Sequence, residues 1–286
     1  MSIDIEYLRS WIGRQESLQD QLTLTAMTAL AATLDHQECV ARTGDRLPEL
    51  WHWLYFLPVA RQSKIGADGH PQRGGFLPPI ELPSRMWAGG RLDFIRSPWA
   101  GDRVERKSTI LDVSHKSGRS GELVFVTLQH EILDDNGLLI REQQDLVYRN
   151  NSSPEAATPV PVPRFAEHTP LWKREITPDP VLLFRYSALT LNGHRIHYDR
   201  QYAQNVEGYP GLVVHGPLIA TLLVDLLREQ MPGAVISHFS FRAVRALYDT
   251  APFQVCGAPG KDAREVFLWA EGPDGGVCME ATATLA

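Results

Sequence analysis

The sequence predicts an α+β fold in which an antiparallel sheet wraps around a helix, and it predicts that unit twice. Three observations carry the prediction. Leu218, Ile219, Leu222, Leu223, Leu226 and Leu227 recur at helical spacing and give a wide apolar stripe over 217–230. Runs at 235–248, 253–257, 265–270 and 277–285 are rich in β-branched and aromatic residues. Turn chemistry parts them, as at Ala258-Pro259-Gly260 and Gly272-Pro273-Asp274-Gly275. A second block of strand-like runs, 103–115, 122–133 and 138–148, stands earlier in the chain, with turns at 116–121 and 134–137. One long helix followed by a meander is an α+β layout.

In chain order, residues 22–34 read as a helix. Residues 66–90 read as Gly- and Pro-rich loop without a clean amphipathic pattern. The first strand block follows. Then Pro154, Pro159, Pro161, Pro163 and Pro170 crowd into 151–170, which removes N–H donors and favours extended backbone. That segment is the expected linker between an N-terminal unit, 1–150, and a C-terminal unit, 171–286. Pro217 suits the first turn of the apolar helix, where its missing N–H costs nothing, and Pro232-Gly233 stops it. The proposed duplication rests on element order, because no residue-by-residue repeat is present.

Composition narrows the function. Of 286 residues, 43% are apolar and 22% charged, which is enough apolar side chain for a full core. A net charge of −6 argues against nucleic acid as a partner. No apolar run is long enough for a membrane helix, and the acidic start lacks a signal-peptide pattern. Cys39, Cys256 and Cys278 are few and far apart, as expected in a reducing cytoplasm.

Two strings carry chemistry. Tyr186-Ser187-Ala188-Leu189-Thr190-Leu191-Asn192-Gly193-His194-Arg195-Ile196-His197-Tyr198-Asp199 sets polar side chains around a Gly and a candidate acid–base histidine. Gly211-Leu212-Val213-Val214-His215-Gly216-Pro217-Leu218 opens the apolar helix with a Gly-Pro pair. A titratable histidine beside a helix N-terminus suits a reaction that develops an oxyanion. His194 and His197 form a lone His-x-x-His pair without a third ligand, so no metal is expected. Asp199 precedes a short helix and reads as its N-cap. Arg242 and Arg245 each read either as contacts for an anionic phosphate or carboxylate group or as solvated strand residues. Trp51, Trp53, Tyr55 and Phe56 read as core or domain-interface packing rather than an adenine platform.

These strings resemble the MaoC-like, R-specific enoyl-CoA hydratase and dehydratase group of the hotdog fold. The resemblance is strongest to double-hotdog type 2 thioester dehydratases and to mesaconyl- and itaconyl-CoA hydratases. The N-terminal segment from Leu47 to Pro58, LPELWHWLYFLP, extends it to the first half. It implies a double hotdog, with the motif in the second unit and the first closing the acyl pocket. It places the family's histidine on His197. Asn192 stands where the family carries an Asp, and His194-Arg195 replaces its Asn-Pro pair, so the usual Asp/His dyad is incomplete.

The implied activity is reversible hydration of a short branched dicarboxylyl-CoA, with a role in itaconate degradation. His197, Asn192 and Gly216 are the expected catalytic residues: proton transfer, water orientation and an oxyanion-holding N–H. The alternative readings are a loop residue holding its own backbone for Asn192 and a plain turn glycine for Gly216. Gly193, His194, Val214, His215, Arg242 and Arg245 are the expected substrate contacts. No cofactor is expected beyond the coenzyme A of the substrate. The expected partners are that acyl-CoA and further copies of the chain, as a homodimer or higher homo-oligomer. The rival readings are a 3-hydroxyacyl-thioester dehydratase of fatty-acid synthesis, a non-catalytic acyl-CoA-binding protein and a thioesterase.

Overall fold

The computed structural model describes residues 3–118, 121–150 and 163–286. The first half contains α1 (Ile5–Arg9), β1 (Gln15–Gln21), α2 (Leu24–Thr33), β2 (Ser84–Phe94), β3 (Arg103–Gly118), β4 (Gly121–Asp134) and β5 (Gly137–Arg149). The second contains β6 (Trp172–Ile176), α3 (Pro180–Leu189), α4 (Arg200–Asn205), α5 (Gly216–Gln230), β7 (Ile236–Ala243), β8 (Phe253–Pro259), β9 (Glu265–Glu271) and β10 (Val277–Leu285). Most of the expected linker, 151–162, lies outside the described residues, and 163–170 forms no helix or strand.

All ten strands join one antiparallel sheet in the order β1-β3-β4-β5-β2-β7-β10-β9-β8-β6. The same pattern thus occurs on both sides of a seam: the first strand of each half lies at the outer edge and the second at the seam. Along the seam Gly89 opposes Arg242 and Gly90 opposes Phe241. A Cβ on Gly89 would stand 2.6 Å from the Phe241 carbonyl oxygen, so glycine is what lets the two halves pair.

In the second half, α5 packs against β6, β8, β9 and β10. Its whole apolar stripe is buried, and so are Ala220 and Val224 between the stripe residues. A helix apolar nearly all round has no solvent face. Its one buried carboxylate, Asp225, is held by His36 and Arg174.

The α+β double-hotdog layout holds, with one refinement: the helix expected at 22–34 is not a central helix. It forms as α2, but α2 packs against α3 and the Trp51–Leu54 turn. Its counterpart in the second half is therefore α3, which likewise follows the outer strand. Residues 34–83, which occupy the chain position of α5, contain only the short 3-10 turns Trp51–Leu54 and Gln62–Lys64 among the described residues. The period-two placement of Trp51, Trp53 and Tyr55 is accordingly not a strand. Trp53 packs at the seam, 4.9 Å from Trp87 and 6.0 Å from Phe241 between centroids, while Trp51 stacks on His36 and the Tyr55 hydroxyl donates to the Thr23 carbonyl.

Candidate active site

The missing helix leaves a cavity of about 1080 Å³ beneath β3, β4 and β5. The two sequence strings meet at its opposite wall. Val213 donates its N–H to the Ile196 carbonyl at 3.0 Å, and the Val213 carbonyl accepts from His197 Nδ1 at 2.7 Å. A carbonyl only accepts, so Nδ1 carries the proton and the Nε2 lone pair is free. Burial lowers the His197 pKa to about 4, partly offset by the bond to Val213, so the imidazole is neutral near pH 7.

His215 stacks on His197, with centroids 3.7 Å apart. Ser187 fixes it through a 2.8 Å bond to Nε2, and its Nδ1 is buried without a partner. Burial and the neighbouring His197 and His194 hold its pKa well below the usual histidine range. Two buried imidazoles face to face cannot both be charged, which keeps the site uncharged.

Gly216 opens α5 and also lines the cavity. Its N–H lies in the first helical turn, where no intrahelical carbonyl is available. Its φ is not left-handed, and an added Cβ would come no closer than 3.9 Å to any other protein atom. Neither turn geometry nor packing therefore demands glycine here. The open space beside the N–H is free for a ligand.

Gly193 has a different reason to be glycine: a Cβ there would meet the Gly69 carbonyl oxygen at 2.5 Å. The first-half loop around Gly69 is pressed against the motif. The Arg195 N–H donates to the Asp68 carbonyl at 2.9 Å, and Arg195 Nη1 donates to the Ala67 carbonyl at 3.1 Å. Asn192 accepts from the His194 N–H at 3.1 Å through Oδ1, so it holds its own backbone, and it also lines the cavity. Val214 is buried in the cavity wall. Asp199 caps α4 through the Tyr202 N–H and binds Arg195, away from the imidazole of His197.

The His194 and His197 rings stand perpendicular, with centroids 5.6 Å apart. His194 instead faces His70, 4.2 Å away, and Asp68 binds His70 at 3.2 Å. The ligand atoms of Asp68, His70 and His194 lie within 4.8 Å of one another, making them the side chains able to hold a cation among the described residues. Asp68 already accepts from the His70 N–H, and its pKa is lowered by His70 and His194 against the cost of burial.

Arg242 is two-thirds exposed, binds Glu280 and is not among the residues that line the cavity. β7 ends at Ala243, so the two arginines do not share one strand. Arg245 touches the cavity, but its guanidinium binds Asp274 and the Gly276 carbonyl. Asp68, His70, His52, Arg106, His130 and Glu142 escaped the sequence reading. Each looks ordinary in its own segment, and only strand register and loop packing bring them to the site.

Residues 50–249 match the family model for hydroxyacyl-thioester dehydratase type 2. The chain belongs to that family. Within it, the chain is 48% identical to the mesaconyl-C(4)-CoA hydratase of Chloroflexus aurantiacus over 279 residues, 96% of this chain and 97% of that protein. Among solved structures, a MaoC-like dehydratase from Phytophthora capsici covers 99% of each chain with a TM-score of 0.68 and 15% identity. A Mycobacterium tuberculosis protein described as having a double hotdog fold covers 96% of each chain with a TM-score of 0.57 and 14% identity. These two structures share the fold of this type 2 dehydratase family member.

Proposed function

We propose that the protein is a hydro-lyase that reversibly hydrates an α,β-unsaturated acyl-CoA. The substrate class is a short branched dicarboxylyl-CoA such as mesaconyl-CoA or itaconyl-CoA, giving a hydroxyacyl-CoA such as citramalyl-CoA. The observation that carries this is one cavity lined by both a neutral, tautomer-fixed His197 and the Gly216 N–H, in a chain 48% identical to a mesaconyl-C(4)-CoA hydratase.

In the hydration direction, His197 Nε2 takes a proton from water as the oxygen bonds to the β-carbon. The π electrons move through the α-carbon onto the thioester oxygen, and the Gly216 N–H donates to that enolate. The enolate collapses and the α-carbon takes the proton back from His197, so one water is added and the histidine is restored. Asn192 cannot titrate. With Oδ1 engaged by His194, its amide N–H groups orient the water. His194, Gly193, Val214 and His215 shape the wall around the acyl group.

The family's dehydratase activity is the same chemistry run in reverse, and the family match favours it as the second reading, with longer 3-hydroxyacyl thioesters as substrates. A panel of enoyl-CoAs followed by mass spectrometry tests both. A mass gain of one water on C5 dicarboxylyl-CoAs is expected. Turnover of crotonyl and longer chains with none on dicarboxylyl-CoAs favours the second reading. Release of free CoA thiol would reveal a thioesterase, and binding without turnover a non-catalytic protein. No helix of the described residues is long and apolar enough to cross a membrane. The proposal keeps a cytoplasmic location, supported by sparse unpaired cysteines, and a homo-oligomeric state, which size-exclusion chromatography with light scattering would read.

A further inference from the structure

The inward face of the first-half sheet is apolar at both ends, with Val104, Ile132 and Ile140 toward one and Ile110, Val126 and Leu146 toward the other. Between them runs a polar rung. Ser108 on β3 opposes His130 on β4, and His130 opposes Glu142 on β5. All three are at most 5% exposed. Three polar side chains at one register position inside a sheet are costly unless bonded. They are bonded. Glu142 accepts from His52 Nε2 at 2.9 Å, Trp53 Nε1 at 3.0 Å and Gln144 Nε2 at 2.8 Å, and Ser108 bonds His130 Nδ1 at 2.8 Å.

Arg106, two residues from Ser108 on the same face, is the exception. None of its five N–H groups makes a hydrogen bond among the described residues, and its Nε is buried without a partner. The nearest carboxylate oxygen, on Glu16, is 3.8 Å away, and Glu142 already accepts from three other donors. The guanidinium lies over the Phe56 ring at 5.3 Å, which orients its plane. Arg106, His130, Glu142 and Gln144 line the same cavity as His197 and Gly216, on the opposite wall. A hydrocarbon acyl group gains nothing from a partly buried guanidinium whose ion pair to Glu16 is long and which makes no hydrogen bond among the described residues. An acyl group ending in a carboxylate answers it with a bidentate pair.

We propose that Arg106 is the receptor for a free carboxylate on the substrate's acyl group and sets the preference for dicarboxylyl- over monocarboxylyl-CoA. This rests on the acyl-CoA reading of the cavity. The test separates binding from turnover by using saturated thioesters, which cannot be hydrated. Succinyl-CoA and butyryl-CoA have the same four-carbon chain and differ in the terminal carboxylate. Calorimetry on the wild-type protein should show succinyl-CoA bound more tightly, and Arg106→Met should abolish that preference, a loss on the order of thirtyfold or more. Butyryl-CoA affinity should change little. Arg106→Lys should restore part of the preference, and Arg106→Gln, which removes the charge but keeps a polar side chain, serves if the Met variant does not fold. A succinyl preference that survives Arg106→Met or Arg106→Gln overturns the assignment, as does an equal loss for both ligands. If wild type hydrates no enoyl-CoA yet shows the Arg106-dependent preference, the hydratase reading fails and the carboxylate receptor stands. If it hydrates dicarboxylyl-CoAs with no such dependence, the reverse holds.

Discussion

The two halves share a strand order and differ in what lies under the sheet. In the second half α5 fills the concavity, with Leu218, Leu223 and Leu227 fully buried. In the first half the equivalent chain segment forms loops, and the concavity stays hollow and partly polar. The filled half fixes the positions of His197 and Gly216, because a packed helix holds its N-terminus rigidly against the sheet. The hollow half supplies room and a charged wall. One sheet thus separates the groups proposed to perform chemistry from the group proposed to select the acyl chain.

The contrast can be broken in order of effect. Gly216→Val belongs to the filled half, so it should lower kcat for every substrate, by about 10²- to 10³-fold if the N–H holds the enolate. Its thermal midpoint should stay near wild type, because the space around Gly216 is open; full kcat in a folded variant would remove the glycine from the mechanism. Loss for all substrates is also what distinguishes it from Arg106→Met. Next comes packing. Leu223→Ala in α5 should cost about 2–5 kcal/mol in denaturant unfolding. Leu128→Ala, whose side chain already borders the cavity, should cost roughly half as much, and equal costs would mean the first half is as tightly filled as the second.

Acid should act on both walls. Burial lowers the pKa values of His197 and His130 to about 4, below the ordinary value near 6.5. The unfolded chain therefore binds more protons than the folded one between pH 6.5 and 4, so stability is full above that window and falls as pH drops through it. Each histidine contributes about 1.4 kcal/mol per pH unit there. Chemical unfolding at pH 7, 6 and 5 should show the decline, and a flat profile would contradict neutral burial. The smallest effect is expected at Asn192. Asn192→Asp should keep or raise hydration within a few-fold, and unchanged kinetics in Asn192→Ala would show a backbone role alone.

Much of the second half was legible because its signals are local. The α5 stripe and strands β8, β9 and β10 each show their periodicity within a dozen residues. The hidden elements owe their form to distant neighbours. β2 sits in what reads as Gly-Pro loop, because Gly89 and Gly90 serve the seam and contribute no side-chain pattern. β1, QESLQDQ, is a mostly exposed edge strand with almost no apolar alternation. α3 was obscured because its last residues double as the motif. At the site, the strings that hold His197 and Gly216 stand out in the sequence, and the structure brings both residues to one cavity. Arg106 does not stand out, since an arginine in an alternating strand reads as solvent-facing until the register shows which side faces inward.

The glycine seam between β2 and β7 has a consequence for how such a molecule can change. Two identical subunits related by a two-fold axis would have to accept every substitution twice, so a helix that fills one cup would fill the other. Covalent linkage lifts that constraint. The chain can keep one cup as a fixed reaction vessel and redraw the lining of the other, residue by residue, without disturbing the histidine or the helix end across from it.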